Sequence, residues 1–283
     1  MLKIGQYNTL AVTRLVDFGA YLDGGNGVEI LLPAKYISEP PSVGDELEVF
    51  VYTDSEDRLI ATTETPFVQV GEFAFLEVVS VSHVGAFLDW GLLKDLLVPF
   101  REQKTRMVTG RRYPVYVYLD DASKRVAASA KVEKFLGNVM PRYNHGDKVK
   151  ALVYKSTPLG WACAVDNLHH GMIYANEIYT TLAVGDTIDA YVKNQRADGK
   201  LDLSLSGAVR DRISALAGRI TDSLRAAGGR LDVGDKSSPE YISSLFGCSK
   251  KDFKKAVGLL LKESRIDKNT DRLTLLPSEM AEV

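Results

Sequence analysis

The sequence predicts a multidomain, mainly β chain: three small five-stranded β-barrels in tandem, followed by an α+β domain. Three observations carry the prediction. A motif recurs as Gly19-Ala20-Tyr21-Leu22-Asp23, Gly85-Ala86-Phe87-Leu88-Asp89 and, more loosely, Gly160-Trp161-Ala162-Cys163. From Tyr21, Phe87 and Ala162 it is twelve residues to Pro33, Pro99 and Tyr174, each closing an apolar step such as Ile30-Leu31-Leu32-Pro33 or Leu96-Leu97-Val98-Pro99. After Leu203-Ser204-Leu205-Ser206-Gly207 the apolar period changes from that of strands to that of helices. Repeats roughly 65 to 75 residues apart leave room for one small domain each.

Each repeat opens on a strand. Tyr7-Asn8-Thr9-Leu10-Ala11-Val12-Thr13-Arg14-Leu15-Val16 and Ala74-Phe75-Leu76-Glu77-Val78-Val79-Ser80-Val81 combine β-branched and aromatic residues with partial alternation. Glycine-bearing or basic punctuation introduces a later strand: Val43-Gly44-Asp45 before Glu46–Tyr52, Gly110-Arg111-Arg112 before Tyr113–Tyr118, and Val184-Gly185-Asp186 before Thr187–Val192. A last short strand follows a turn at Arg58–Thr62, Arg125–Ser129 and Lys200–Ser204. Five short strands in so few residues suit a closed barrel, because closure removes the edges that so small a sheet could not hide.

This order of motifs resembles the S1 RNA-binding domain, an OB-type barrel, in three tandem copies. In that family the RNA-binding face uses two aromatics flanking the Gly-Ala pair, a His-like position ending the third strand, and an acidic and a basic residue four apart near the last strand. The resemblance places these at Phe18, Tyr21, Pro33, Asp54 and Arg58 in the first module, and at Val84, Phe87, Pro99, Asp121 and Arg125 in the second. In the third they fall on Leu159, Ala162, Tyr174, Arg196 and Lys200. The family's histidine is replaced in all three, and the third module lacks both aromatics, although Trp161 sits beside the expected place. No single module holds a complete site. Aromatic platforms stack any base, because every base has a π-face; the alternative is that Phe18, Tyr21 and Phe87 fill barrel cores.

The C-terminal part reads as helices. Ile213, Leu216, Ile220 and Leu224 share a stripe over Val209–Arg225, which Gly228-Gly229 stops. Ser237-Ser238-Pro239-Glu240 opens a second helix, and Ser249-Lys250-Lys251-Asp252 a third as a variant capping box. The third helix is expected to turn Phe253, Val257, Leu260 and Leu261 inward and Lys250, Lys251, Lys254, Lys255 and Lys262 outward. With a hairpin over Asp267–Leu276, the order resembles a winged-helix domain, whose third helix often enters a nucleic-acid groove. The lysines fit phosphate contacts there, or a merely solvated face. Three S1-like modules followed by a winged helix resemble the conserved virulence factor B family. The resemblance divides the chain at 1–66, 67–138, 139–207 and 208–283.

Composition narrows the function. The 283 residues are 45% hydrophobic and 25% charged, with net charge −2, which is ordinary soluble material. That average hides a gradient: residues 1–70 carry 4 Lys/Arg against 11 Asp/Glu, residues 71–134 carry 10 against 8, and residues 207–283 carry 14 against 11. Attraction for a polyanion is expected from the second module and the C-terminal domain. Without an apolar N-terminal segment or a long apolar run, a cytoplasmic protein with no membrane partner is expected. Cys163 and Cys248 lie far apart, and His83, His145, His169 and His170 show no ligand spacing, so no metal, cofactor or disulfide is expected. Acidic groups such as Asp54-Ser55-Glu56-Asp57 and Asp120-Asp121 fall in turns, where solvated charge is ordinary, and no phosphate-binding glycine loop appears.

The expectation is therefore a non-enzymatic protein that binds single-stranded RNA through Phe18, Tyr21, Asp54, Arg58, Phe87, Asp121, Arg125, Tyr174 and Lys200, with the third-helix lysines as a second basic face. It would act as a post-transcriptional or gene-expression regulator. A winged-helix DNA-binding regulator and a ribosome or RNA-processing scaffold are the competing readings.

Overall fold

The computed structural model describes residues 2–175, 178, 181–205, 209–269 and 271–276, with 209–211 as backbone only. The first barrel comprises β1 (Gln6–Val16), β2 (Gly19–Asp23), β3 (Glu29–Pro33), β4 (Glu46–Thr53) and β5 (Leu59–Thr62). The second comprises β6 (Phe73–Val81), β7 (Gly85–Leu88), β8 (Leu96–Pro99), β9 (Arg112–Leu119) and β10 (Val126–Ser129). The third comprises β11 (Lys148–Thr157), β12 (Gly160–Val165), β13 (His169–Tyr174), β14 (Thr187–Gln195) and β15 (Leu201–Ser204). All three close in one cyclic order: first, second, third, fifth and fourth strand, with the fourth returning to the first. Third and fifth strands run parallel; the other pairs are antiparallel.

Two local devices recur in every barrel. A Cβ added at Gly19, Gly85 or Gly160 would lie 2.1, 2.3 or 2.0 Å from the carbonyl oxygen of Leu32, Val98 or Ile173. The second and third strands approach so closely there that only glycine fits, which is why the motif begins with it. The long first strand carries a bulge, between Val12 and Arg14, Val78 and Ser80, and Val153 and Lys155. It bends that strand so that it can pair with two neighbours and close the barrel.

The barrels are packed face to face, more intimately than short connections alone require. Phe50 and Tyr52 point out of β4 into the apolar cluster of the second barrel, where Phe50 meets Trp90 edge-on at 5.7 Å and Tyr52 meets it at 6.1 Å. Lys94 Nζ donates to the carbonyls of Thr53 and Asp54, at 3.0 and 2.6 Å, across the same junction. Between the second and third barrels, Phe73, Tyr116, Val132 and Phe135 pack on Leu152, Tyr154, Ala162, Ala164 and Met172. Tyr116 and Phe135 stack at 4.2 Å. These contacts explain why Val49–Thr53, Ala151–Tyr154 and Ala162–Val165 are buried without a break. A barrel strand facing solvent would alternate; one covered on both faces does not.

The last domain contains α1 (Val209–Ala226), β16 (Arg230–Leu231), α2 (Pro239–Phe246), α3 (Lys250–Lys262), β17 (Ile266–Asn269) and β18 (Arg272–Leu275), with the strands in the order β16, β18, β17. This is a winged-helix arrangement. Ser238 and Ser249 cap α2 and α3 through the backbone N–H groups of Tyr241 and Asp252. The expected stripe of Ile213, Leu216, Ile220 and Leu224 packs on Ile242, Phe246, Phe253, Val257 and Leu260. Leu261 departs from expectation: it is exposed, because it follows Leu260 by about 100° around the helix, and Ala256 fills the inward position instead. The boundary expected between 207 and 208 and Thr270 of the hairpin lie outside the described residues. No helix among the described residues is long and apolar enough to cross a membrane.

Candidate nucleic-acid interface

Strand register places the expected site residues. On barrel 1, Ala20 and Leu22 point into the core while Tyr21 points out, opposite Leu31. Phe18, in the β1–β2 turn, is 58% exposed and meets Tyr21 edge-on at 6.4 Å. Phe18, Tyr21 and Phe87 all lie outside the buried clusters, whose positions beside the motif glycines are taken by Ala20, Leu22, Ala86 and Leu88. A feature no motif marked joins them: the Arg14 guanidinium lies over the Tyr21 ring, its Cζ 3.7 Å from the centroid.

The acidic and basic pair of barrel 1 forms as a unit. Arg58 donates through Nε and Nη2 to Asp54, at 2.9 and 2.8 Å, and through Nη1 pairs with Glu56 at 2.9 Å. Asp54 also accepts from the backbone N–H groups of Glu56 and Arg58. Partial burial alone would raise its carboxyl pKa, but these hydrogen bonds outweigh it and hold the group below its ordinary range. Asp54 therefore closes the β4–β5 turn and orients Arg58.

Barrel 2 differs by one residue in this turn. The backbone N–H of Asp54 bonds to the carbonyl of Arg58, that of Asp120 to Arg125, and that of Arg196 to Lys200. The structural counterpart of Asp54 is thus Asp120, which accepts from the Ser123 backbone and hydroxyl at 3.1 and 2.7 Å. Asp121 projects into solvent beside Lys124 at 3.9 Å and does not pair with Arg125. The extra residue in the turn shifts the expected register. Arg125 reaches across the junction to Asp57 of barrel 1 instead. Phe87 is half-buried, and Val84, which replaces a flanking aromatic, is 43% exposed.

The carbonyls of Phe18, Val84 and Leu159 all accept from the residue after Pro33, Pro99 or Tyr174, so the three positions are equivalent. In barrel 3, however, the face is occupied. Ala162 is 7% exposed and packs, with Ala164 and Met172, against barrel 2. Tyr174 bonds to Arg196 and lies 3.3 Å from Asp202, to which Arg196 also donates at 2.8 Å, while Lys200 pairs with Asp198 at 2.8 Å. These polar groups satisfy one another at the rim of a covered surface.

On the winged helix, Lys251, Lys254, Lys255 and Lys262 stand exposed along α3. Lys250 is partly buried and donates to the carbonyl of Ser237 at 2.8 Å. Cys163 is sealed in the core of barrel 3, where burial pushes its thiol up to about 12, so it stays protonated at neutral pH. Among the described residues no three His, Cys, Asp or Glu side chains gather as metal ligands would.

Comparison with known proteins identifies the first and last domains by family. A family model for the S1 domain matches residues 4–64, and one for the CvfB-like winged helix domain matches residues 218–275. The uncharacterized protein YitL of Bacillus subtilis is 29% identical over 276 residues, covering 94% of this chain and 91% of the relative. Conserved virulence factor B of Staphylococcus epidermidis is 25% identical over 281 residues, 96% of this chain and 94% of its own length. A solved multidomain protein with nucleic acid binding domains from Streptococcus pneumoniae is 25% identical and covers 96% of this chain and 98% of its own, with a TM-score of 0.43. S1 and winged-helix domains are nucleic-acid-binding types, and the chain matches a model of each and is similar along almost its whole length to relatives named conserved virulence factor B.

Proposed function

We propose that the protein is a non-catalytic, cytoplasmic RNA-binding regulator that engages single-stranded RNA across barrels 1 and 2, with the winged helix as a further phosphate contact. The observation that carries this reading is the exposed Phe18 beside Tyr21 on a face that also presents Arg58. An aromatic that a barrel core has not absorbed, next to cations, is what a stacked base and its phosphate require. Asp54 closes its turn and holds Arg58, while Arg125 is held across the barrel junction by Asp57 of barrel 1. Because Phe50, Tyr52 and Trp90 lock the two barrels, their faces are held at a fixed spacing, and modest affinities combine through effective concentration. Tyr174 and Lys200 of barrel 3 contribute at most from the rim.

The test is binding of labelled single-stranded RNA over a range of salt. Phe18→Ala combined with Tyr21→Ala and Phe87→Ala should weaken it; indistinguishable affinity would remove the stacking mechanism. The exposed lysines of α3 favour a second reading, duplex DNA in a groove. Duplex DNA competing better than single-stranded RNA would establish that reading. Replacing Lys251, Lys254, Lys255 and Lys262 by Ala should flatten the slope of log K against log salt by about 0.7 for each single-strand phosphate that is no longer neutralised. An unchanged slope would take α3 out of the interface.

A further inference from the structure

Arg14 reaches the face of barrel 1 because of the bulge in β1. The ladder steps past Thr13, so Arg14 rather than Thr13 lies opposite Tyr21. Its guanidinium then covers the ring at stacking distance, 3.7 Å from Cζ to centroid. The group is fixed in that pose from its edge. Nε donates to Glu29 Oε1 at 3.1 Å and Nη2 to Oε2 at 2.9 Å, a two-pronged fork, and the Thr13 hydroxyl donates to the same carboxylate at 3.1 Å. Arg14 holds the Glu29 carboxyl below its ordinary range, so the clamp stays charged at neutral pH. The corresponding residues of the other barrels are Ser80, opposite Phe87, and Lys155, opposite Ala162, and neither has a planar group.

A clamp along the edge leaves the outer face of the guanidinium plane for another layer. Guanidinium planes stack nucleobases, and they are weakly hydrated, so covering them costs little. We propose that a nucleobase of single-stranded RNA stacks on the outer face of Arg14, which Glu29 holds over the Tyr21 ring, with Phe18 as the side wall. The inference rests on the RNA-binding reading above and names its contact surface: the third layer of a Tyr21–Arg14–base stack, in place of the bare tyrosine ring.

The role of Glu29 separates this from simple electrostatics. Glu29→Gln removes a negative charge from a face that meets a polyanion, so charge alone makes RNA bind tighter; a loosened clamp makes it bind more weakly. Arg14→Lys keeps the charge and loses the plane. The experiment measures polarisation of dye-labelled ten-nucleotide oligouridylate and oligoadenylate at one fixed salt concentration, using the full chain and these variants, with circular dichroism to check folding. Arg14→Lys should lose about 5- to 150-fold in affinity, the range for one stacked base, nearly as much as Arg14→Ala. Glu29→Gln should also lose affinity. Wild-type affinity in Arg14→Lys, tighter binding by Arg14→Ala, or tighter binding by Glu29→Gln would each overturn the proposal alone. Absence of binding by the wild type would overturn the RNA reading, and this inference with it.

Discussion

Barrels 1 and 3 share a fold, a register and a motif, yet they use the same face for different things. In barrel 1 the outward residues of β2 and β3 are Tyr21 opposite Leu31 and Asp23 opposite Glu29. In barrel 3 they are Ala162 opposite Met172 and Ala164 opposite His170. The first set lies beside solvent and the exposed Phe18; the second is pressed against Phe73, Tyr116 and Phe135 of barrel 2. The missing aromatic of barrel 3 is therefore a packing requirement. A tyrosine ring has no room where another barrel's rings already lie, and an alanine does. An OB-type face is a general adhesive surface, and a few side chains decide what adheres to it.

The comparison can be broken most forcefully at the covered face. Phe73→Ala should cost about 3–5 kcal/mol, the usual range for emptying a buried aromatic site, and lower the denaturant midpoint. Amide exchange should then rise in β11 and β12 while β2 and β3 keep their protection. Ala162→Tyr, which installs the residue of barrel 1 in barrel 3, should destabilise by about 1–3 kcal/mol through overpacking and bring no gain in RNA affinity. Unchanged stability with a gain in affinity would mean that the face of barrel 3 is open in solution. Phe18→Ala should weaken RNA binding by about 1–3 kcal/mol, whereas Leu159→Ala at the equivalent, 67% exposed position should leave it unchanged. Equal losses would show that the two turns serve alike.

The smallest effect concerns acid. Lys148 and Lys150 hold the Asp189 carboxyl of barrel 3 at about 2, below its ordinary 3.8. Its contribution to stability is thus present above pH 3.8 and is lost as pH falls through about 2. Asp189→Asn should slightly lower stability at pH 5, with the difference shrinking as pH falls through about 2, measured by denaturant midpoints. RNA binding should not respond, since Asp189 pairs with the lysines of β11, away from Phe18 and Tyr21.

Much of the fold can be read from residue order, because three copies of one motif constrain each other: Gly19, Gly85 and Gly160 align the copies, and Pro33, Pro99 and Tyr174 support the alignment. The packing between barrels is harder to see, although it leaves a trace. Val49-Phe50-Val51-Tyr52 and Ala151-Leu152-Val153-Tyr154 are apolar without alternation, the pattern of strands covered on both sides, and a simple strand assignment makes no use of it. Arg14 cannot be found from spacing, because the bulge that brings it over Tyr21 is a change of pairing invisible in a linear pattern. Counting four residues back from Arg125 lands on Asp121 rather than Asp120, because one inserted turn residue preserves the composition while shifting the geometry. Leu261 shows the same limit on a helix, where adjacent leucines compete for one inward position.

The contact of Phe50 and Tyr52 with Trp90 also bears on how the protein can be dissected. A cut in the connection near Pro66 would look harmless on a domain diagram, yet it would bare two aromatic rings on one fragment and an indole on the other. Fragments of single barrels would carry adhesive surfaces that the intact chain never displays, and self-association or nonspecific binding in such fragments would report the cut rather than the protein.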